Sequence, residues 1–548
     1  VGGDLQLQAN LAALATTSPE LVERLGWPAA GDRAVTGPDG QLHYRTGLGS
    51  APLALTPGQV DGALSGVGDG PVLLAGLGLG ELATALLAGG RTAPVVAWEP
   101  DPSLLRRALA QHALRLPLAS GRLRLLLGSD LLEAARAGEL EGLATVLHPL
   151  LGPLHHRDLA AAAAPARPLA LVAAGGLFVD DLASALEATG LATFTLDLVR
   201  LSRQELARAV ARLRPQLLAC VNYTEGLAEF CAEHGVRLLV WEIDPAVGPL
   251  RPCQAPTDRT FIFTFRQAAV AEYRAAGFQH AAWLPLAANP ERRQPTALEG
   301  EEGGRYRSRV ALVGSSLVPQ VTGFERSFLA AWQAFAGPTA EVARSGAALL
   351  QAVLAEQARS EHYLVPEALQ RLAPEFARVA GQVPVRAVGE IAAAMRRLAV
   401  ALRLAPFEVQ LWGDEGWRQA QAPGVTYRGL AGHGAELNRI YSGAAVNVDV
   451  GRLYQSDIVT MRVFDVMACG GLVLAERSED LARLFAVGEE VDCWSNGREL
   501  SAKVAHWLEH PAQAAELARR GREAVLARHT IRQRVEEMLR TAGCRPGG

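Results

Sequence analysis

SDIVTMRVFDVMACGGLVLAE, residues 456–476, points to an alternating α/β fold. Ile458–Ala468 has a helical pattern, breaks at Gly470-Gly471 and re-enters an apolar strand over Leu472–Ala475, which is one step of an α/β unit. Gly470-Gly471 reads as a helix C-cap and tight return. Asp457 and Asp465 lie eight helical steps apart, roughly 12 Å along the axis. Their carboxylates are therefore expected on neighbouring faces, one at the helix start and one two turns on. A helix N-terminus offers free N–H groups to a phosphate, and carboxylates accept hydrogen bonds from hydroxyls. A nucleotide-sugar carries both groups.

Just before it, Gly451–Ser456 (GRLYQS) is a loop feeding that N-terminus, with Arg452 adding charge and Ser456 a hydroxyl. Arg462 lies three residues before Asp465 on the same helical side, placed either to pair with it or to face a diphosphate. Further upstream, Arg309–Val313 reads as a strand ending at Gly314-Ser315, where a glycine lets the backbone approach a ligand. His433 sits in a Gly-rich loop (GLAGHGAE, 429–436) and is a candidate phosphate contact. A helical insertion over about 323–403 separates the first strand from the alternation that resumes at Glu408–Trp412. Thr530-Ile531-Arg532-Gln533 has the form of a capping box for the last helix.

A second α/β unit is expected over 166–293, with strands at Leu169–Ala173, Thr193–Leu198, Gln216–Val221, Val236–Trp241, Thr260–Thr264 and Ala281–Leu286. Strands alternating with helices mean a parallel, doubly wound sheet. Glu242 and Asp244 fall just past a strand end, where they would orient an acceptor hydroxyl or act as a general base; the alternative is a turn held by Asp244-Pro245. Asn222 and Gly175-Gly176 also follow strands. Residues 294–307 (QPTALEGEEGGRYR) read as a linker, and 308–541 as the C-terminal domain.

Residues 1–165 read as a lead-in followed by another Rossmann-like unit. Val72–Ala75 leads into Gly76-Leu77-Gly78-Leu79-Gly80, then a helix over Glu81–Ala88. Glu99 stands nineteen residues after Gly80, at the next strand end. Gly76, Gly78 and Gly80 would approach a ligand and Glu99 would bind ribose hydroxyls; the alternative is a Rossmann unit kept for packing. The spacing is not G-x-G-x-x-G, which disfavours a nicotinamide site.

Segment 456–476 resembles the acidic-x7-acidic signature of retaining GT-B glycosyltransferases, with Asp where Glu is usual. Residues 425–541 resemble the C-terminal half of CgeB-like glycosyltransferases of the spore maturation protein type. The matching pieces are VTYRGLAG (425–432), ELNRIYSGAAVNVDV (436–450), MRVFDVMACGGLVLAE (461–476), RELSAKVAHWLEHP (498–511) and ARHTIRQRVEEML (527–539). WEIDP (241–245) and FTF…EYRAAGF…WLPLAANP (263–290) carry a looser likeness to the N-terminal region of that family. The resemblance implies two Rossmann-like domains facing a cleft, with the donor on 308–541 and the acceptor on 166–293. It implies transfer of a sugar from a nucleotide-diphosphate donor to a hydroxyl of a protein or glycan, with retention and no obligatory metal or cofactor. Asp465 would meet ribose hydroxyls and Asp457 the sugar. Gly76–Glu99 looks like the first two motifs of S-adenosylmethionine methyltransferases, with Leu74 where an acid is usual, and like the Rossmann-like domain of motility accessory factor proteins. Two alternatives therefore stand: a methyltransferase working through 71–130, and a non-catalytic nucleotide-binding or assembly protein.

Bulk properties narrow the classes. The chain has 548 residues, 49 % apolar and 20 % charged, with a net charge of −4, so more than one domain is expected and no basic field points to nucleic acid. Lys503, the only lysine, reads as an exposed helix residue and has no glycines before it, which excludes a Walker A loop. The six cysteines are scattered without C-x-x-C, as expected of reduced thiols. No transmembrane run and no signal peptide are read, and the expectation is a cytoplasmic protein. No metal site is expected: His155, His156 and Asp158 are too close on one element to converge on an ion, and no D-x-D motif is present.

Overall fold

Short apolar runs alternating with helices produce three parallel sheets in the computed structural model, which describes residues 2–28, 31–46, 49–88, 91–176, 178–244 and 250–544. The lead-in folds into helices Gly2–Thr17 and Pro19–Leu25 and an antiparallel sheet of β1 (Ala34–Thr36), β2 (Leu42–Thr46) and β3 (Gly49–Pro52). The first parallel sheet contains β4 (Val72–Ala75), β5 (Val95–Glu99), β6 (Leu123–Leu127) and β7 (Ala144–Leu147), in the order β6-β5-β4-β7. The second contains β8 (Leu169–Ala173), β9 (Ala192–Leu196), β10 (Leu217–Val221), β11 (Arg237–Glu242), β12 (Thr260–Thr264) and β13 (His280–Trp283), ordered β13-β12-β11-β10-β8-β9. The third contains β14 (Ser308–Val313), β15 (Val409–Trp412), β16 (Val425–Gly429), β17 (Ala444–Val448), β18 (Val473–Glu476) and β19 (Asp492–Trp494), ordered β16-β15-β14-β17-β18-β19. Each of the two six-stranded sheets is the parallel, Rossmann-like layer expected of its stretch, and the four-stranded one is the additional N-terminal Rossmann-like sheet expected from the sequence. The central strands are buried along their length, because helices cover both faces of a parallel sheet.

Contacts divide the chain into two units. One is Val1–Thr264 with Ala269–Trp283 and Val535–Gly548; the other is Phe265–Ala268 with Leu284–Arg534. In the first unit, the four-stranded and six-stranded sheets share a core: Trp98, Leu126 and Leu131 pack in one cluster with Leu171, Phe194 and Leu238. Buried ion pairs tie the two parts together. Arg24 binds Glu205 at 2.6 Å and Asp130 at 2.8 Å, and Arg200 binds Asp101 at 3.1 Å and Asp197 at 2.7 Å.

In the second unit, the insertion is five helices, Val318–Ala336, Ala340–Gln357, Val365–Leu372, Pro374–Ala380 and Gln382–Arg403. They have their own core of Phe328, Val353, Leu369, Phe376, Val388 and Ile391. The first begins at Val318, earlier than the expected 323, because Pro319 suits a first helical turn. Within the expected linker, Gly300–Tyr306 is a short helix, and Tyr306 stacks on Trp412 at 5.7 Å. The capping box at Thr530 is made: Thr530 N donates to Gln533 Oε1 at 2.9 Å and Gln533 N to Thr530 Oγ1 at 3.3 Å.

Candidate functional site

In the third sheet the strand order reverses between β14 and β17. A doubly wound sheet leaves its ligand crevice at the carboxyl ends of such strands. Gly314-Ser315 follows β14, and Asp449-Val450-Gly451 follows β17. The helix of segment 456–476 runs Met461–Ala468. It starts three residues later than expected, because Thr460 is extended (φ −68°, ψ 154°) and serves as N-cap. Asp457 consequently lies in the turn before the helix and not at its first position; it is half-buried and 3.6 Å from Arg266.

Thr460 Oγ1 donates to Asp449 Oδ1 at 2.9 Å and makes no side-chain cap to its own helix. Arg462 also donates to Asp449 Oδ1, and its guanidinium lies over Gly314: a Cβ there would fall 2.7 Å from Arg462 Nη2. The i, i+3 relation with Asp465 therefore does not make the pair. Asp465 is buried and bound by Arg293 Nε at 2.8 Å. Arg293 in turn donates to the carbonyls of His433 at 3.1 Å and Gly434 at 3.3 Å, so the loop holding the exposed His433 side chain is pinned through its backbone. Arg293 is held above the ordinary guanidinium range; burial alone would lower it, and Asp465 outweighs burial.

A pocket at this edge is lined by Asp449, Arg452, Gln455, Ser456, Thr460 and Glu476. Ser456 is exposed, and Arg452 lies 3.3 Å from Glu390 of the insertion. The same insertion helix supplies two further arginines. Arg396 binds Glu476 through two hydrogen bonds of 2.6 and 3.0 Å, and Glu476 accepts from Gly451 N at 3.0 Å. Arg397 is buried, donates to the carbonyls of Ser315 and of Val450 (2.9 Å), and has no partner for its Nε. Burial pushes its guanidinium down to about 9, helped by Arg462 and Arg452 nearby. Ser315 Oγ is committed to Asp414 at 2.6 Å. The Asp414 carboxyl is below its ordinary value: burial would raise it, but hydrogen bonds from Ser315 and Ser316 prevail. Four arginines thus face three carboxylates (Asp449, Glu476, Glu390) at the strand ends.

Sequence reading missed Asp449, Arg293, Glu390, Arg396, Arg397 and Glu476. Asp449 carried a legible sign, as the acid closing the apolar run before GRLYQS. The insertion residues carried none, since periodicity does not say where an inserted helix docks.

In the first unit, Glu242 is buried, accepts from Tyr223 N and is engaged by Tyr273; burial raises its carboxyl. Asp244 is exposed, accepts from Asn222 Nδ2 at 3.0 Å, and its backbone N donates to Asn222 Oδ1 at 3.1 Å. The other half of the expected turn, Pro245, lies outside the described residues. Gly175 and Gly176 are exposed after β8, where the order of the second sheet reverses.

The Gly76–Gly80 turn is filled from within the fold. A Cβ on Gly76 would meet His148 Cβ at 2.9 Å, one on Gly78 would meet His148 Nε2 at 2.4 Å, and one on Gly80 would meet His112 Cδ2 at 2.8 Å. Glu99 is fully buried; its Oε2 accepts from Leu77 N at 3.1 Å and Gly78 N at 2.9 Å, and its Oε1 from Asp101 N at 3.1 Å. Burial, and then the Asp101 charge, push this carboxyl up to about 8. Lys503 is partly buried rather than exposed, held by Asp492 at 2.7 Å. Among the described residues no group of three His, Cys, Asp or Glu side chains is arranged to hold a metal ion, and no helix is long and apolar enough to cross a membrane.

Residues 390–540, which contain β15–β19 and nearly all of this pocket, match the model of a family described as glycosyl transferase-like. No curated protein matches the chain. Several solved structures are similar. Sucrose-phosphate synthase from Thermosynechococcus elongatus is 14% identical over 68% of this chain and 98% of its own, with a TM-score of 0.38. A glycosyltransferase from Rickettsia africae is 8% identical over 69% and 98%, TM-score 0.41. HepE of Anabaena, in complex with UDP and glucose, is 14% identical over 68% and 91%, TM-score 0.38.

Proposed function

We propose that the protein is a glycosyltransferase that moves a sugar from a nucleotide-diphosphate donor to a hydroxyl of a protein or glycan acceptor. The observation that carries this reading is the arginine-rich pocket at the β14–β17 reversal, inside the stretch that matches the glycosyl transferase-like family. Arg397, Arg452 and Arg462 crowd positive charge there, and Arg397 has no carboxylate among its hydrogen-bond partners. A diphosphate relieves that repulsion and accepts from guanidinium forks and from the first-turn N–H groups of Met461–Ala468. Charge building on the departing diphosphate is stabilised by the same fixed donors, with positioning supplying the rest.

In this proposal Gly314 gives the backbone its close approach, Ser315 and Ser456 edge the site, and Asp457 and Asp465 serve the sugar and ribose side, Asp465 through the Arg293 pair. Asp244 orients the acceptor hydroxyl, as the carboxylate of the Glu242/Asp244 pair that is exposed. Retention of configuration and independence of a metal ion belong to the proposal and rest on the resemblance of segment 456–476. The test is calorimetric titration with UDP, GDP, dTDP, CMP and S-adenosylmethionine, wild type against Arg462→Ala. One nucleoside diphosphate is expected to bind, with at least tenfold loss in the variant. Binding of S-adenosylmethionine alone, or of no nucleotide, overturns the reading.

A further inference from the structure

A groove of about 300 Å³ lies between the helical insertion and the third sheet. Its floor is apolar: Leu354, Ala392, Val400, Leu453 and Trp494 are all buried. Trp494 carries a buried indole N–H without a hydrogen-bond partner. The rim is basic. Arg359 and Arg403 are exposed on it, and among the described residues neither makes an ion pair or side-chain hydrogen bond. Two other charged groups line the groove, Arg396 and Glu361. Arg396 lies 5.2 Å from the Trp494 ring centre and is bound to Glu476, while Glu361 accepts from Gly497 N at 3.4 Å. Met395 closes one side.

We propose that this groove is a second ligand site, for a small amphipathic anion with a carboxylate or phosphate head on a medium-length apolar body. The volume is at the lower bound of ordinary ligand pockets, which are mostly apolar with a few placed polar groups. The floor gains from burial of the apolar body. The two free guanidinium groups bind an anionic head in a bidentate fashion, whereas a neutral amphiphile leaves them unused. Arg396, bound to Glu476, borders both this groove and the pocket at the β14–β17 reversal, whereas Arg359, Arg403 and Met395 belong to the groove alone, so the test below leaves the transferase reading untouched.

The probe is decanoate below its micelle-forming concentration, titrated calorimetrically into the full chain, with decanol as neutral counterpart. Decanoate is expected to bind at one site at least tenfold more tightly than decanol. The double variant Arg359→Glu/Arg403→Glu is expected to lose at least tenfold in decanoate affinity; both side chains are exposed, so the fold is retained. Met395→Trp fills the groove from its rim and is expected to weaken both probes at least tenfold. Absence of saturable decanoate binding, equal binding of decanol, or wild-type affinity in both variants with unchanged circular dichroism overturns the proposal.

Discussion

Asp465 shows how much one side chain's partner decides. On a helical wheel it stands beside Arg462; in the fold it is bound by Arg293 from far upstream, while Arg462 turns to Asp449. Asp465→Asn leaves the Arg293 guanidinium, whose side chain is 2 % exposed, without its carboxylate. Breaking a buried pair from one side costs about 3–5 kcal/mol, and urea denaturation is expected to show a loss of that size. His148 is a second residue-scale case. Its Nδ1 accepts from Leu150 N and Leu151 N, its Nε2 is buried without a partner, and burial pushes the imidazole down to about 4 from 6.5. Between those values the unfolded chain takes up a proton that the native state refuses. The stabilisation is therefore full above pH 6.5 and falls away toward pH 4, by about 3 kcal/mol from this group. His148→Asn keeps an acceptor for the two amides, and thermal melts over pH 4–7 are expected to show a shallower acid slope.

At the scale of elements, the β14 turn and the Met461–Ala468 helix act as a pair. Gly314 has φ +139°, a conformation open to glycine at little cost, and Arg462 fills the space beside it. Gly314→Ala strains the backbone by about 1–3 kcal/mol and pushes Arg462 off Asp449. The expected outcome is a lower denaturation midpoint together with at least a tenfold loss of nucleoside diphosphate affinity by calorimetry. Loss of stability with unchanged affinity would detach Arg462 from donor binding. The helix start at Met461 has an equally local cause, because Thr460 spends its hydroxyl on Asp449 and stays extended.

For the molecule as a whole, the N-terminal Rossmann-like domain acts as structure for its neighbour. Trp98 and Leu126 complete the core around Leu171 and Phe194, and Arg24 and Arg200 answer acids on both parts. Removing residues 1–165 exposes that shared face and leaves Arg200 without Asp101 and Glu205 without Arg24. The shortened chain is expected to lose its cooperative thermal transition and to be digested rapidly in limited proteolysis; a sharp transition near that of the full chain would show that the second sheet stands alone.

The parallel α/β layers follow from the amino-acid order alone. Val72–Ala75, Leu169–Ala173 and Thr260–Thr264 read as strands with the bounds they adopt, because a strand covered on both faces must be almost continuously apolar. Ala144–Leu147 is as apolar as its neighbours but only four residues long, and in the fold only Val146 of the four is buried. The candidate site was half legible: Arg452, Ser456, Arg462 and Gly314 lie in local motifs at strand ends and a helix start. Asp449's partners, the Arg293–Asp465 pair and the arginines of the insertion emerge only once the chain is packed. Burying a charge is costly unless an opposite charge meets it, and which one does depends on where distant helices dock, a geometry that no local periodicity encodes.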